Sequence, residues 1–248
     1  NGDSDAKPVV LVGKALTFDS GGYSLKDRNN IVSMKYDKCG GVDVIATLCA
    51  AATLKLSTPL IGVIGAAENM VSSEAYRPDD IITTLAGKTI EIITTDAEGR
   101  LVLADALTYA QKISNPRAII DLATLTGGVV TALGHVFAGI MSNDDALTAK
   151  LIQAGDATHE RLWRLPLDDE FLDNMKGVDA DWNNSGGRDG HATYGGLFLK
   201  QFVSDDIPWA HLDIAGVADT AKELSYCPKG GTGFGIRLLM EYLTHLSD

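Results

Sequence analysis

Three short stretches of this chain place carboxylates, lysines and glycines where apolar sequence would otherwise continue. The first is Gly13-Lys14-Ala15-Leu16-Thr17-Phe18-Asp19-Ser20-Gly21-Gly22, which goes on to Ser24-Leu25-Lys26. The second is Met34-Lys35-Tyr36-Asp37-Lys38-Cys39-Gly40-Gly41, and the third is Thr94-Thr95-Asp96-Ala97-Glu98-Gly99-Arg100. Each sets acids at or just past the end of an expected strand, several of them beside glycines that let backbone and ligand approach closely. Gathered in one cleft, Asp19, Asp37, Asp96 and Glu98 would be four carboxylates that cannot all stay ionised unless cations neutralise them. Divalent metals meet that need. A carboxylate-rich site suits two ions about 3.5–4 Å apart that share a bridging carboxylate and a water. Taken singly, each stretch has a plainer reading: Asp-Ser-Gly-Gly is a good turn, Asp-Ala-Glu-Gly-Arg a solvated helix start, and Lys14 a snorkelling or paired lysine. The force lies in finding all three in one short region.

The elements that must position these residues alternate in kind. Continuous apolar runs predict buried strands over 9–12 and 60–64, with a β-branched strand over 89–93 and further strands over 118–122, 136–141 and 209–214. Helical spacing predicts helices over 42–56, 101–112 and 194–202, another from an Asp144-Asp145 cap to about 158, and a last one over 233–246. Such alternation predicts a single α/β domain over residues 1–248: a mainly parallel twisted sheet with helices on both faces, in three αβα layers. In sheets of this kind ligands gather at the carboxyl ends of the strands.

Composition narrows the partners. With 248 residues, 45% hydrophobic and 22% charged, the chain suits one large soluble domain. A net charge of -12 argues against nucleic acid, and no apolar run is long enough for a membrane span. The polar start, Asn1 to Pro8, reads as a linker without a signal peptide, and suggests a piece of a longer protein. Cys39, Cys49 and Cys227 form no CxxC, which suggests buried reduced thiols and a cytoplasmic home.

Together the three stretches closely resemble the leucyl aminopeptidase (cytosol aminopeptidase) family in its bacterial form. Its signature Asn-Thr-Asp-Ala-Glu-Gly-Arg differs from residues 94–100 only at Thr94, and its Gly-Lys-Gly-x-Thr-Phe-Asp-Ser-Gly-Gly differs from the first stretch at Ala15. Asp121-Leu-Ala-Thr-Leu-Thr-Gly127, Trp163-Arg-Leu-Pro-Leu167, Gly186-Gly-Arg188 and Trp209-Ala-His-Leu-Asp-Ile-Ala-Gly216 extend the resemblance over nearly the whole chain.

The resemblance implies a dinuclear metallo-aminopeptidase that removes Leu and other apolar residues from peptide N-termini. One ion, zinc, manganese or magnesium, would be held by Lys14, Asp19, Asp37 and Glu98. The other would be held by Asp19, Asp96 and Glu98. Lys14 would be neutral, its pKa lowered by burial and by the two cations. A water shared by the ions would attack, and Lys26 would stabilise the oxyanion. Arg100, with backbone amides around Ala97, Gly99, Arg100 and Leu125, would hold a bicarbonate that serves as base, since no nearby His or free Glu is expected to. Met34, Thr124, Gly127, Ala215 and Ala218 would line the pocket for the first side chain. Thr94, in place of Asn, is expected to keep activity and shift specificity. Family members form homohexamers and carry an N-terminal domain and an upstream part of the catalytic domain that this chain is expected to lack.

Two other readings stay open. Asp19-Ser20-Gly21-Gly22 echoes some serine-protease nucleophiles, but none of His135, His159, His191, His211 and His245 sits in a recognisable partner motif, and His211 is expected in the core. A catalytically silent assembly or binding module of the same fold is the other, since fold alone proves no activity. The glycine-rich stretch Lys229 to Gly235 lacks the order of a phosphate loop and is read as a turn and helix start. Trp163, Trp182 and Trp209 are read as packing anchors.

Overall fold

The computed structural model describes residues 6–246. Residues 1–5 of the stretch read as a linker lie outside the described residues. The strands are β1 (Val9–Asp19), β2 (Leu60–Asn69), β3 (Ile81–Thr83), β4 (Thr89–Glu91), β5 (Ala118–Ala123), β6 (Ala138–Ser142), β7 (Leu162–Arg164), β8 (Trp182–Asn183), β9 (Trp209–Asp213), β10 (Asp219–Thr220) and β11 (Gly230–Gly231). The helices are α1 (Arg28–Ile31), α2 (Cys39–Thr53), α3 (Glu98–Ile113), α4 (Gly127–Leu133), α5 (Asp145–Thr158), α6 (His191–Lys200) and α7 (Ile236–Thr244), with 3-10 turns at Met34–Tyr36 and Asp169–Met175.

The main sheet has the order β2-β1-β5-β9-β6-β7. It is parallel except where β6 meets β9. Side chains alternate across it as the pleat requires. Val9 and Leu11 of β1 join one apolar cluster with Val44, Leu151 and Leu238 from α2, α5 and α7. Val10 and Val12 join the other with Leu103, Leu107 and Phe198 from α3 and α6. Helices on both faces give the three expected layers.

β1 is longer than its opening apolar run implied. β2 pairs with it beyond Gly13, with Lys14 opposite Gly65 and Ala15 opposite Ala66. β5 pairs with its other edge only as far as Gly13 opposite Leu122. β1 therefore overhangs β5, and a crevice opens along its last residues. The chain leaves β1 outward to β2 and returns across it to β5, so the crevice lies at a change of strand order, where α/β sheets bind ligands.

Some expectations are corrected. The segment 89–93 supplies β4 of a separate sheet, β3-β4-β8. The turn at Thr84 and Gly87 folds β3 back onto β4 as a hairpin, and β-branched residues suit a hairpin as well as a buried strand. β7 has only three residues, too few to show a period in sequence. Trp163 is 58% exposed and meets Phe137 edge-on at the end of the sheet, so it anchors little. The cysteines are unpaired, but Cys49 is exposed on α2 and Cys39 and Cys227 are only half-buried, so the fully buried reading fails. Asp144 caps α5 by accepting from Leu147 N, and Gly235 precedes α7 in a left-handed conformation, both as expected.

Candidate metal and catalytic site

Lys14 departs from β1 where pairing with β5 stops. The residue is 2% exposed. It donates to Thr124 O at 2.9 Å and pairs with Asp37 Oδ1 at 3.0 Å and Glu98 Oε1 at 2.9 Å. Three separate elements supply these partners: the loop after β5, the 3-10 turn before Asp37, and the first turn of α3. A Cβ on Gly99 would stand 2.6 Å from Lys14 Nζ, so glycine is what lets α3 settle onto the lysine. Thr124 Oγ1 donates to Asp37 Oδ1 at 2.7 Å.

Asp19 ends β1. Its Oδ1 accepts from Gly21 N at 2.9 Å and Asn69 Nδ2 at 2.8 Å, and its Oδ2 pairs with Lys26 at 2.9 Å. Lys26 also pairs with Asp96 Oδ1. Thr95 ties the two loops together: its hydroxyl donates to Gly21 O at 2.6 Å and accepts from Ser24 N at 2.8 Å, and its carbonyl accepts from Asn69 and Tyr76. Carboxylate oxygens of Asp19, Asp96 and Glu98 lie within 4.8 Å of one another. Lys14, Asp19, Lys26, Asp37, Asp96 and Glu98 all line one cleft of about 730 Å³.

The charge balance is strained. Burial pushes the Asp37 carboxyl up to about 7 against the pull of Lys14. Burial raises Asp96 as well, and Lys26 opposes it. For Lys14 burial is the largest influence and lowers the pKa, but Asp37 and Glu98 outweigh it and the net shift is upward. Among protein groups alone the lysine is thus held protonated, the reverse of the neutral amine a metal ligand requires. Asp37 Oδ2 and Glu98 Oε2 are buried and have no hydrogen-bond partner among the described residues. Oxygens so placed are costly unless something cationic meets them. The donor set, four carboxylates and an amine, fits divalent ions.

Arg100 lies beneath this cluster, buried, with Nε and Nη1 also without partners among the described residues and its guanidinium over Phe198. Burial lowers its pKa to about 10, and Glu98 and Asp213 resist. Ala97 sits just ahead of α3 with no side-chain cap, so the amides of Glu98, Gly99 and Arg100 open the helix uncapped by a side chain. An unsatisfied guanidinium near such a turn suits an anion.

Met34, Thr124, Gly127 and Ala215 line the same cleft. Ala218 does not: it is buried in the core cluster, and Asp219 beside it faces the cleft instead. The Leu125 amide is also engaged, donating to Asp213 Oδ1 at 3.1 Å, so it is not a free donor for an anion. His191 corrects the expectation that no histidine is near, since it is on the cleft wall, where burial and Arg100 lower its pKa. Ser20 donates to Asn69 O at 2.8 Å and has no histidine partner among the described residues, which disfavours a serine nucleophile. Asn69, Thr95 and Asp213 went unforeseen. A polar residue near the end of an apolar strand was the available signal for Asp213; Asn69 follows small residues that interrupt the apolar run and had none.

The model of the cytosol aminopeptidase family, catalytic domain, matches residues 1–240. Among curated relatives, a probable cytosol aminopeptidase of Syntrophotalea carbinolica is 51% identical over 98% of this chain and 48% of its own length. One of Geobacter sp. (strain M21) is 53% identical over 96% of this chain and 48% of its own length. The chain thus spans about half the length of the curated relatives it matches. Among solved structures, the bottromycin maturation enzyme BotP in complex with Mn superposes with a TM-score of 0.94 at 40% identity, covering 99% of this chain and 55% of that one. On the match over residues 1–240, this chain belongs to the cytosol aminopeptidase family.

Proposed function

We propose that the cleft is a dinuclear metal site that hydrolyses the N-terminal residue of peptides, with Leu and other apolar residues preferred. The observation that carries this reading is the buried meeting of Asp19, Asp37, Asp96 and Glu98 around two lysines, with Asp37 Oδ2 and Glu98 Oε2 left unpartnered. Lys14, Asp19, Asp37 and Glu98 would hold one ion, and Asp19, Asp96 and Glu98 the other. When bound, the ions supply Lewis acidity and an acidified water, and bicarbonate supplies a proton acceptor. With those carboxylates neutralised, Lys26 would be released from Asp19 and Asp96 and its ammonium would be placed to meet the substrate carbonyl oxygen. Arg100 and the start of α3 would hold the bicarbonate, and the Leu125 amide is left to Asp213. Met34, Thr124, Gly127 and Ala215 on the cleft wall are small or apolar, which suits Leu or Met. The names of the relatives and the unpaired cysteines favour a cytoplasmic enzyme; the complete protein is proposed as a homohexamer acting on peptides.

Stripping ions with EDTA is expected to abolish leucine-amide hydrolysis and added manganese to restore it, with elemental analysis giving two ions per chain. Turnover that survives complete stripping overturns the proposal. Full metal content without turnover would favour the silent module, the reading that the half-length match supports.

Arg100→Ala is expected to lower kcat about 10²-fold, the low end for losing a proton acceptor, with metal content unchanged. Wild-type rates should respond to added bicarbonate, and the variant's should not. An equal response in both proteins would remove Arg100 from this role.

A further inference from the structure

The cleft continues into a second cavity, of about 670 Å³, lined by Leu165, Arg188, Asp189, His191 and Thr193 among others. The two share Gly127, Thr131 and His191. Their junction is bounded by the starts of α4 and α6, which are pressed together. A Cβ on Gly128 would stand 2.8 Å from both Ala192 N and His191 Cβ, so the absence of a side chain there sets His191 on the wall of both spaces. The metal ligands close the other end of the cleft at β1 and α3. A peptide whose first residue sits there must lead its remaining residues away, and the shared wall offers a continuous route. The second cavity is large enough for a ligand of a few residues.

The charges in that cavity indicate which end of a peptide it suits. A peptide cut at its N-terminus has spent its amine at the metal end, so the far end of a short one carries a carboxylate. The chain's net charge of -12 and the acidic cleft repel that group. Arg188 is exposed and makes no ion pair or hydrogen bond among the described residues. Its neighbour Asp189 lines the same space but bears the sign that a carboxylate avoids.

We propose that this cavity receives the residues after the scissile bond and that Arg188 pairs with the C-terminal carboxylate of short peptides, making it a specificity-determining residue. The proposal rests on the aminopeptidase reading. Its substrate class is the free-acid tripeptide and peptides of similar length, whose far end reaches the cavity.

The test compares kcat/KM for Leu-Gly-Gly and for Leu-Gly-Gly-amide in the manganese-loaded protein, with leucine amide as the control that does not reach the cavity. Wild type is expected to prefer the free acid about tenfold, the scale of one charge-assisted hydrogen bond. Arg188→Ala should bring the ratio near one and leave leucine-amide turnover within about twofold, and Arg188→Lys should restore part of the preference. An Arg188→Ala ratio equal to wild type, with leucine amide still cleaved, overturns the proposal alone. Absence of leucine-amide cleavage by wild type overturns the underlying reading and the proposal with it.

Discussion

Glu98→Gln is expected to lower leucine-amide turnover by at least about 10³-fold while leaving the chain folded. Glu98 is the carboxylate that touches both halves of the site. Its Oε1 meets Lys14 at 2.9 Å, it groups with Asp19 and Asp96 within 4.8 Å, and its Oε2 is buried without a partner. A glutamine fills the same volume and can still accept from Lys14, which also keeps Asp37 and Thr124 O. What it cannot do is supply the negative charge that the two proposed cations would share. Losing one preorganised donor in an active site costs about 10²–10³-fold, and losing a bridging ligand should cost no less. A thermal melt separates this from unfolding. Saturating manganese at about a hundred times its Kd should stabilise wild type by about 2.7 kcal/mol, or roughly 5–10 °C for a chain of this size. Glu98→Gln should melt near the EDTA-treated wild type and lose most of that gain. A variant that keeps both turnover and the manganese-induced shift would exclude Glu98 as a bridging ligand.

The residues that make this argument were legible in sequence because they interrupt it. Asp19, Asp37, Asp96 and Glu98 stand in polar, glycine-flanked stretches beside apolar strands, and the layered fold follows from strand and helix periods that alternate along the chain. The rest depended on distances that no period encodes. Asn69 holds Asp19 from the end of β2, but the small residues 65–67 break the apolar run and hide that the strand continues. The Leu125 amide is taken by Asp213 of a different strand, a pairing that no local pattern shows. Ala218 lies one residue from Asp219, and the local turn sends the alanine to the core and the aspartate to the cleft. His191 was hidden because the expected helix started at 194, whereas α6 starts at His191 itself and sets that ring on the wall.

The same strand ends that carry the chemistry are stiffened by a network away from it, and removing its centre is expected to have the largest effect on stability. Asp121 is fully buried in β5, directly opposite His211 of β9. Its Oδ1 lies 2.5 Å from His211 Nδ1 and its Oδ2 accepts from Trp209 Nε1 at 2.8 Å. Asp121→Ala would leave both buried donors unpaired, and breaking a buried pair by deleting one partner costs about 3–5 kcal/mol, or roughly 10 °C in Tm for a chain of this size. The pH dependence identifies the cause. Burial lowers the His211 pKa, but Asp121 more than compensates and the net shift is upward. A histidine with a raised folded pKa contributes stability that is full below its unfolded value of about 6.5 and fades as pH rises through the folded value. Urea midpoints of wild type should therefore fall as pH rises above about 6.5, by an amount that Asp121→Asn removes, since asparagine can accept from Trp209 but cannot hold an imidazolium. Equal pH slopes in wild type and Asp121→Asn would mean that His211 is neutral in the fold and that the network is held by hydrogen bonds alone.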